Sequence, residues 1–200
     1  MKPFYSHGGI EIYHGDCRQI LPSLPKADLV LTDPPYGIGF AAQPTDYQRI
    51  NGMKPSAWDD ERPEIEFIAR MECQTILWGG NYFSLPTSKS WLCWEKPDAP
   101  PSMGRFELAW TNLGCNTRII SHSIAATNAE RVGHPTQKPL AVILWSMQMA
   151  NFGLVLDPFC GSGTTLRAAK DLGRPAIGIE REERYCEIAA RRLSQEVLSF

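Results

Sequence analysis

The chain has 200 residues, of which 43% are hydrophobic and 21% charged, and this predicts one globular domain with a sizeable core. Its formal net charge is -2, so any surface that binds nucleic acid must be local. The six cysteines show no C-x-x-C pair and no zinc-ligand spacing to histidine, which predicts reduced thiols and no metal site. Residues 1–9 have no apolar signal core, and the apolar stretch 140–150 is too short to span a bilayer, so we expect a soluble cytoplasmic protein without a membrane partner.

Short apolar runs alternate with helical patterns along the chain. Strands are predicted at residues 10–14, 28–32, 75–78, 91–94, 117–120, 154–156 and 176–179. Helices are predicted at residues 63–73, 139–151, 164–172 and 182–198. This alternation favours an α/β fold with a mostly parallel sheet and helices on both faces.

Two segments lack a clear hydrophobic period. Residues 37–60 are predicted to form a long loop, and loops of this length in compact domains are usually functional or mobile. Residues 96–133 are polar and rich in proline at their start, with one strand-like interruption. We therefore predict a single domain over residues 1–200 that carries a small insertion at 96–133.

A glycine-rich segment, DPFCGSGTT at residues 157–165, lies between a predicted strand and a predicted helix. Open α/β sheets bind ligands at this end of their strands, and Gly161 and Gly163 allow close approach of the backbone. A phosphate-binding loop would need a lysine here, and a dinucleotide fingerprint would need a small residue at Leu166. A ligand without phosphates fits better, and Glu180 at the next strand end can accept hydrogen bonds from a ribose diol. The alternative is a tight strand–helix turn with no ligand.

A second motif, Asp33-Pro34-Pro35-Tyr36, also follows a predicted strand. It suits methyl transfer to an aromatic amine, whose lone pair is delocalised into the ring and must be drawn out by hydrogen-bond acceptors. Asp33 and the carbonyl of Pro34 can accept both N–H bonds, and Tyr36 offers a face on which an extruded base can stack. The alternative is an Asp-Pro turn at a strand end.

Together these motifs resemble those of the amino-directed DNA methyltransferases, which methylate adenine N6 or cytosine N4. HPTQKP at residues 134–139 and GDC at residues 15–17 are also similar to segments of that family, so the resemblance spans residues 10–192. The catalytic motif precedes the cofactor motif, as in the permuted group called the β class. Residues 96–133 would then be a short target-recognition segment, and the small size resembles stand-alone or phage-type members from a bacterial or phage-infected cell.

The resemblance implies a Rossmann-like methyltransferase fold, S-adenosyl-L-methionine as cofactor and double-stranded DNA as partner. Four residues would hold the target base: Asp33, Pro34, Pro35 and Tyr36. Nine would contact the cofactor: Asp16, Thr136, Lys138, Asp157, Phe159, Gly161, Gly163, Thr164 and Glu180. Among these, Glu180 would hold the ribose, Asp16 would meet the adenine ring edge, and Thr136 and Lys138 would lie beside the methionine end.

The resemblance favours adenine N6 as the target, because family members that methylate cytosine N4 more often carry Ser in place of Asp33. Methylation of RNA or of a protein amide is an alternative, although protein-amide relatives tend to carry Asn there. A binding module that has lost catalysis is a third, against which the intact residues 33–36 argue. Arg105, Arg118 and Arg131 are either DNA contacts or ordinary surface arginines. A homodimer is left open, since it would enlarge a small recognition surface.

Overall fold

The computed structural model describes residues 1–38, 62–101, 103–129 and 137–195. The predicted loop at 37–60 therefore lies outside the described residues except for Gly37 and Ile38, and Thr136 and Arg131 lie outside them too. Among the described residues no helix is long and apolar enough to cross a membrane.

Strands and short helices alternate along the described chain. The strands are β1 (Tyr5–His7), β2 (Ile10–His14), β3 (Leu29–Thr32), β4 (Gln74–Trp78), β5 (Ser90–Glu95), β6 (Phe106–Thr111), β7 (Arg118–Ser121), β8 (Val155–Asp157) and β9 (Ala176–Glu180). The α-helices are α1 (Cys17–Ile20), α2 (Ile124–Ala129), α3 (Leu140–Met147), α4 (Thr164–Asp171) and α5 (Glu183–Ser194). Short 3-10 helices lie at Leu21–Ser23, Ile68–Arg70 and Gly80–Tyr82.

The strands form one sheet in the order β1-β2-β9-β8-β3-β4-β6-β5-β7. The five central strands, from β2 to β4, are parallel to one another, and β6 is antiparallel to both of its neighbours. The predicted α/β fold with a mostly parallel sheet is confirmed. Because the five central strands run in one direction, their carboxyl ends meet at one edge of the sheet.

The core lies on both faces of the sheet. Leu29 and Leu31 of β3 pack in a cluster with residues of α3, α4 and α5, whereas Val30 packs with residues of α1 and the Ile68–Arg70 turn on the other side. All four residues of β3 are buried, as expected for a strand covered on both faces. The alternation of side chains along β3 therefore joins two apolar layers through one strand.

Two strands of the segment 96–133, β6 and β7, belong to the sheet. Strand β6 lies inside it and is hydrogen-bonded between β4 and β5, with Leu77 opposite Trp110 and Leu92 opposite Ala109. The first three residues of β6 are exposed or half-buried, so no continuous apolar run marks it in the sequence. Part of the predicted insertion at 96–133 therefore contributes a strand to the central sheet.

The predicted helix at 63–73 is also different in the structure. Only the 3-10 turn Ile68–Arg70 is helical there, and the fully buried Ile65 and Ile68 face the core. A spacing of three residues places two side chains on one face of a 3-10 turn as well as of an α-helix. The hydrophobic spacing in the sequence therefore did not distinguish an α-helix from a 3-10 turn.

Candidate active site

Four acidic residues lie in a row at the carboxyl edge of the parallel strands. Asp16 follows β2, Glu180 ends β9, Asp157 ends β8 and Asp33 follows β3, and these strands are neighbours in that order. All four line one cavity of about 1190 Å³. Thr32 Oγ1 donates a hydrogen bond of 2.7 Å to Asp157 Oδ1 and so joins the two strand ends directly. The two predicted motifs, remote in sequence, thus meet in one cavity.

The carboxylates that end β8 and β9 both accept backbone N–H groups of the glycine-rich loop. Phe159 N–H donates to Asp157 Oδ1 at 3.1 Å, and Gly161 N–H donates to Glu180 Oε2 at 2.8 Å. Burial raises the pKa of Asp157 to about 6 and also raises the pKa of Glu180. A carboxylate has about four acceptor positions, so each retains capacity to bind a ligand group.

Some residues of the glycine-rich loop line the cavity, and one packs against the helix beneath it. Phe159, Gly161 and Thr164 line the cavity. Gly163 instead faces α5: it has a φ of +78°, and a Cβ there would lie 2.9 Å from the Cβ of Ala189. Gly163 therefore allows α4 to begin against α5 rather than a ligand to approach the backbone.

Asp16 caps the first turn of α1. Its carboxylate accepts a hydrogen bond of 2.9 Å from Arg18 N–H and forms an ion pair of 2.8 Å with the Arg18 guanidinium. The hydrogen bonds from Arg18 lower the pKa of Asp16 to about 2. Gly15 N–H donates to the carbonyl of Glu180 at 2.9 Å, which fixes the start of α1 beside the end of β9.

The residues of the second motif form a compact polar group with a buried lysine. Tyr36 OH donates to Asp33 Oδ1 at 2.5 Å, and Lys138 Nζ donates to Asp33 Oδ2 at 2.7 Å and to Tyr36 OH at 3.0 Å. Burial raises the pKa of Asp33 against the opposing effect of Lys138. Burial and the charge of Asp33 raise the pKa of Tyr36 well above its usual value. Asp33 is thus a carboxylate with increased affinity for a proton.

Two further charged residues extend this group. Lys138 Nζ lies 3.0 Å from Glu107 Oε2, and the other oxygen of Glu107 pairs with Lys96 Nζ. Burial would raise the pKa of Glu107, but Lys138 and Lys96 hold it below its usual value. Burial would likewise lower the pKa of Lys138, but Asp33 and Glu107 hold it well above its usual value. Glu107 is therefore held as a carboxylate and Lys138 as an ammonium.

An aromatic pair forms the wall next to Asp33. The rings of Tyr36 and Tyr82 are stacked, with centroids 4.7 Å apart and planes 14° apart, and Tyr82 is 40% exposed. Gly79 has a φ of +70°, and a Cβ there would lie 2.0 Å from the Tyr36 ring. Only glycine at position 79 leaves room for Tyr36 in this position.

A family of DNA methylases, the N6/N4 amino-methyltransferases, matches residues 78–191, more than half of the chain. The chain belongs to this family. It is a DNA amino-methyltransferase with a Rossmann-like α/β fold, and its cofactor is S-adenosylmethionine.

Relatives and solved structures agree with the family over nearly the whole chain. The chain is 25% identical to type II methyltransferase M.ScaI of Streptomyces caespitosus, covering 100% of this chain and 86% of the relative. It is 29% identical to type II methyltransferase M.HinfI of Haemophilus influenzae, covering 92% and 68%. The crystal structure of the M1.HpyAVI–SAM complex superposes with a TM-score of 0.64 at 25% identity, covering 92% and 99%. The cytosine-N4-specific PvuII methyltransferase shares the fold, with a TM-score of 0.63 at 16% identity over 99% and 91%.

The carboxylates and the glycine-rich loop of the DNA amino-methyltransferase fit S-adenosylmethionine. The cofactor carries a positive sulfonium, an amino group and a ribose diol. The buried Asp157 and the half-buried Glu180 supply negative charge and acceptors beside a glycine-lined loop. The described part of this loop, residues 157–165, contains no lysine or arginine that would favour a phosphate.

Most predicted site residues lie together in this cavity. The amine of Lys138 contacts Asp33 and Tyr36, and Gly163 packs against α5 and is not among the residues that line the cavity. Thr136 lies outside the described residues. Sequence reasoning missed Glu107, Lys96 and Tyr82, which line the same cavity. Glu107 and Lys96 belong to a segment without a recognisable period, so only the fold reveals their position.

Proposed function

We propose that the enzyme transfers the methyl group to N6 of adenine in double-stranded DNA, at a base extruded from the helix into the cavity. The observation that carries the proposal is the carboxylate of Asp33 at the end of β3, joined to the cofactor side through the Thr32–Asp157 hydrogen bond. The type II methyltransferases among its relatives support action on DNA. Asp rather than Ser at position 33 favours adenine over cytosine.

Asp33 and Pro34 would act on the amino group of the base. The carboxylate of Asp33 and the carbonyl of Pro34 accept its two N–H bonds, which draws the nitrogen lone pair out of the ring. S-adenosylmethionine, when bound, supplies an activated methyl group. Burial raises the pKa of Asp33 and so favours its acceptance of the proton that the amine must lose.

Tyr36 and Tyr82 would recognise the flat face of the extruded base. Their stacked rings line the cavity beside Asp33, and Arg62 Nη1 donates a hydrogen bond of 2.5 Å to the carbonyl of Tyr82. Base–aromatic stacking contributes roughly 1–3 kcal/mol per base. We expect the base to take the place of one of the two rings against its neighbour, with Tyr82 moving because it is the more exposed.

Nucleoside mass spectrometry tests the proposal. The purified enzyme is incubated with unmodified double-stranded DNA and S-adenosylmethionine, and the digested DNA is analysed for methylated bases. We expect 6-methyladenine with the wild type and none with Asp33→Asn. A product of 4-methylcytosine would overturn the choice of base and keep the chemistry. No methylated base in DNA, together with transfer to RNA or to protein, would overturn the substrate.

A further inference from the structure

Four buried or half-buried side chains of alternating charge form a row that ends at the catalytic motif. This charge row consists of Lys96, Glu107, Lys138 and Asp33, in that order of contact. The side chains of Lys96 and Lys138 are each 7% exposed. The ammonium of Lys138 has three N–H donors, and Asp33, Glu107 and Tyr36 provide three acceptors within 3.0 Å. The amine of Lys138 is therefore held from three sides.

We propose that Glu107 is a positioning residue for Asp33. It holds the ammonium of Lys138 between two carboxylates, so that Asp33 is oriented by the lysine but keeps its strength as a hydrogen-bond and proton acceptor. This inference rests on the proposed function, in which Asp33 receives an N–H of the target base. It assigns a role in the reaction to β6, a strand from the segment between the two motifs.

The charge balance of the row gives the physical reason. With Glu107 ionised, two lysines face two carboxylates and the net charge is zero. With Glu107 neutral, the row carries one net positive charge beside an amine that itself becomes positive. Like charges in a site of low dielectric repel strongly, so the barrier rises. Lys138 would also pair with Asp33 alone and weaken it as an acceptor.

The proton balance of the reaction requires such an acceptor. As the amine nitrogen bonds to the methyl carbon, the carbon–sulfur electron pair passes to sulfur and the nitrogen becomes positive. The nitrogen then loses one N–H proton to Asp33, which releases it through the cavity to solvent. The groups that face Asp33 are Tyr36, Lys138, Glu107 and Asp157. Burial is the largest influence that raises the pKa of Asp33, and the charge of Glu107 raises it further.

The test compares three single variants with the wild type. Glu107→Gln removes the charge and keeps the shape, Glu107→Asp keeps the charge, and Glu95→Gln is the matched control. Glu95 lies on the neighbouring strand β5 in an ion pair with the 62%-exposed side chain of Arg105, and it is not in the cavity lining. Methyl transfer to unmodified DNA is measured from pH 5 to 9, and cofactor binding by calorimetry.

We expect Glu107→Gln to lower kcat roughly 10- to 100-fold, while KM for DNA and the cofactor Kd change less than about twofold. The acidic limb of its pH profile should move to lower pH, because Asp33 loses a proton more readily once Glu107 is neutral. Glu107→Asp should keep the position of the wild-type limb, and Glu95→Gln should match the wild type throughout. A folded Glu107→Gln variant with kcat within twofold of the wild type, or with a lower kcat and an unmoved limb, overturns the proposal.

A readout without turnover separates this inference from the proposed function. Carbon-13 labelled aspartate gives the pKa of Asp33 directly, with Asp33→Asn to assign the signal. We expect a lower pKa in Glu107→Gln than in the wild type and no change in Glu95→Gln. A lowered pKa in an enzyme that does not methylate DNA would overturn the proposed substrate alone. An unchanged pKa in an active enzyme would overturn the role of Glu107 alone.

Discussion

The two halves of the active site are built in different ways. On the cofactor side, Asp157 and Glu180 each accept a backbone N–H from the loop that follows their own strand, and Glu180 accepts a second one from Gly161 of the glycine-rich loop. On the base side, Asp33 is held by the hydroxyl of its own motif residue Tyr36 and by Lys138, which is remote in sequence and is itself held by Glu107. The cofactor side thus depends mainly on the backbone of two loops at neighbouring strand ends, which short motifs can specify. The base side depends on the fold to bring separate segments together.

This difference predicts that substitutions can disable the two halves separately. Substitutions on the base side should abolish methyl transfer and leave cofactor binding unchanged, since the contacts of Asp33 are to Tyr36 and Lys138. Substitutions on the cofactor side should weaken cofactor binding more than they lower the rate of methyl transfer at saturating cofactor. The Thr32–Asp157 hydrogen bond is a direct side-chain link between the two halves.

The largest effect is expected from Asp33→Ala. Removal of the acceptor should lower methyl transfer by at least about 10²- to 10³-fold, while the cofactor Kd stays within about threefold of the wild type. Single-turnover transfer and calorimetry measure the two quantities. Asp171→Ala, which removes a surface ion pair with Arg167 on α4, serves as control and should change neither. Equal losses of transfer and cofactor binding would show that Asp33 does not belong to the base side alone.

Glu180→Gln should act on the other half. Loss of a charge-assisted hydrogen bond to the ribose costs roughly 1.5–3 kcal/mol, so the cofactor Kd should rise on the order of 10- to 100-fold. Calorimetric titration measures this, with the exposed Glu187→Gln on α5 as matched control. A rise of less than about threefold would argue against a ribose contact at Glu180.

The raised pKa of Asp157, about 6, predicts a pH dependence of cofactor binding. The ionised carboxylate is expected to face the positive cofactor, so affinity should fall as the pH drops through about 6, approaching tenfold per pH unit below it. Calorimetry between pH 5 and 8 measures the trend. Glu180 also has a raised pKa, so Asp157→Asn is the decisive control, and a trend that persists unchanged in this variant would exclude Asp157 as its source.

The same pKa predicts the opposite trend for the stability of the enzyme without cofactor. A carboxyl group whose pKa is higher in the folded than in the unfolded protein binds its proton more tightly when folded. Its contribution therefore falls as the pH rises from about 4 to about 6, by roughly 3 kcal/mol in total. Thermal unfolding should show a smaller decrease in Asp157→Asn over this range. An equal decrease in both proteins would contradict the buried, ionised state of Asp157 at neutral pH.

The last prediction concerns stability alone and the packing beneath the cofactor loop. Gly163 and Gly173 both have a positive φ, but an added Cβ meets Ala189 at 2.9 Å in the first case and nothing within 4 Å in the second. Gly173→Ala should cost about 1–2 kcal/mol of unfolding free energy, the price of the left-handed backbone alone. Gly163→Ala should cost about 1–3 kcal/mol more. Denaturant unfolding measures both, and equal costs would contradict close packing of α4 on α5.

The strands and the loop of the cofactor side could be predicted from the sequence because each is marked by a local pattern. Residues 157–165 and Glu180 stand at strand ends whose apolar runs are easy to recognise, and the observed strands β8 and β9 agree with the predicted ones within a residue or two. The base side was predicted only as far as residues 33–36. Glu107 lies in β6, whose first half is exposed or half-buried, so its element left no periodic signal. Lys96 directly follows β5, the strand predicted at 91–94, but only the fold pairs it with Glu107. The resemblance identified Lys138, and the fold shows that its amine contacts Asp33 and Tyr36.

Rescue of transfer by excess cofactor tests the separation of the two halves most directly. Single-turnover methyl transfer is measured for the wild type, Asp33→Ala and Glu180→Gln as the concentration of S-adenosylmethionine is raised to saturation. We expect Glu180→Gln to recover most of the wild-type rate at saturation, while Asp33→Ala stays at least about 10²-fold below the wild type at every concentration. If saturation fails to restore Glu180→Gln, or if it restores Asp33→Ala, the division into a base side and a cofactor side is wrong.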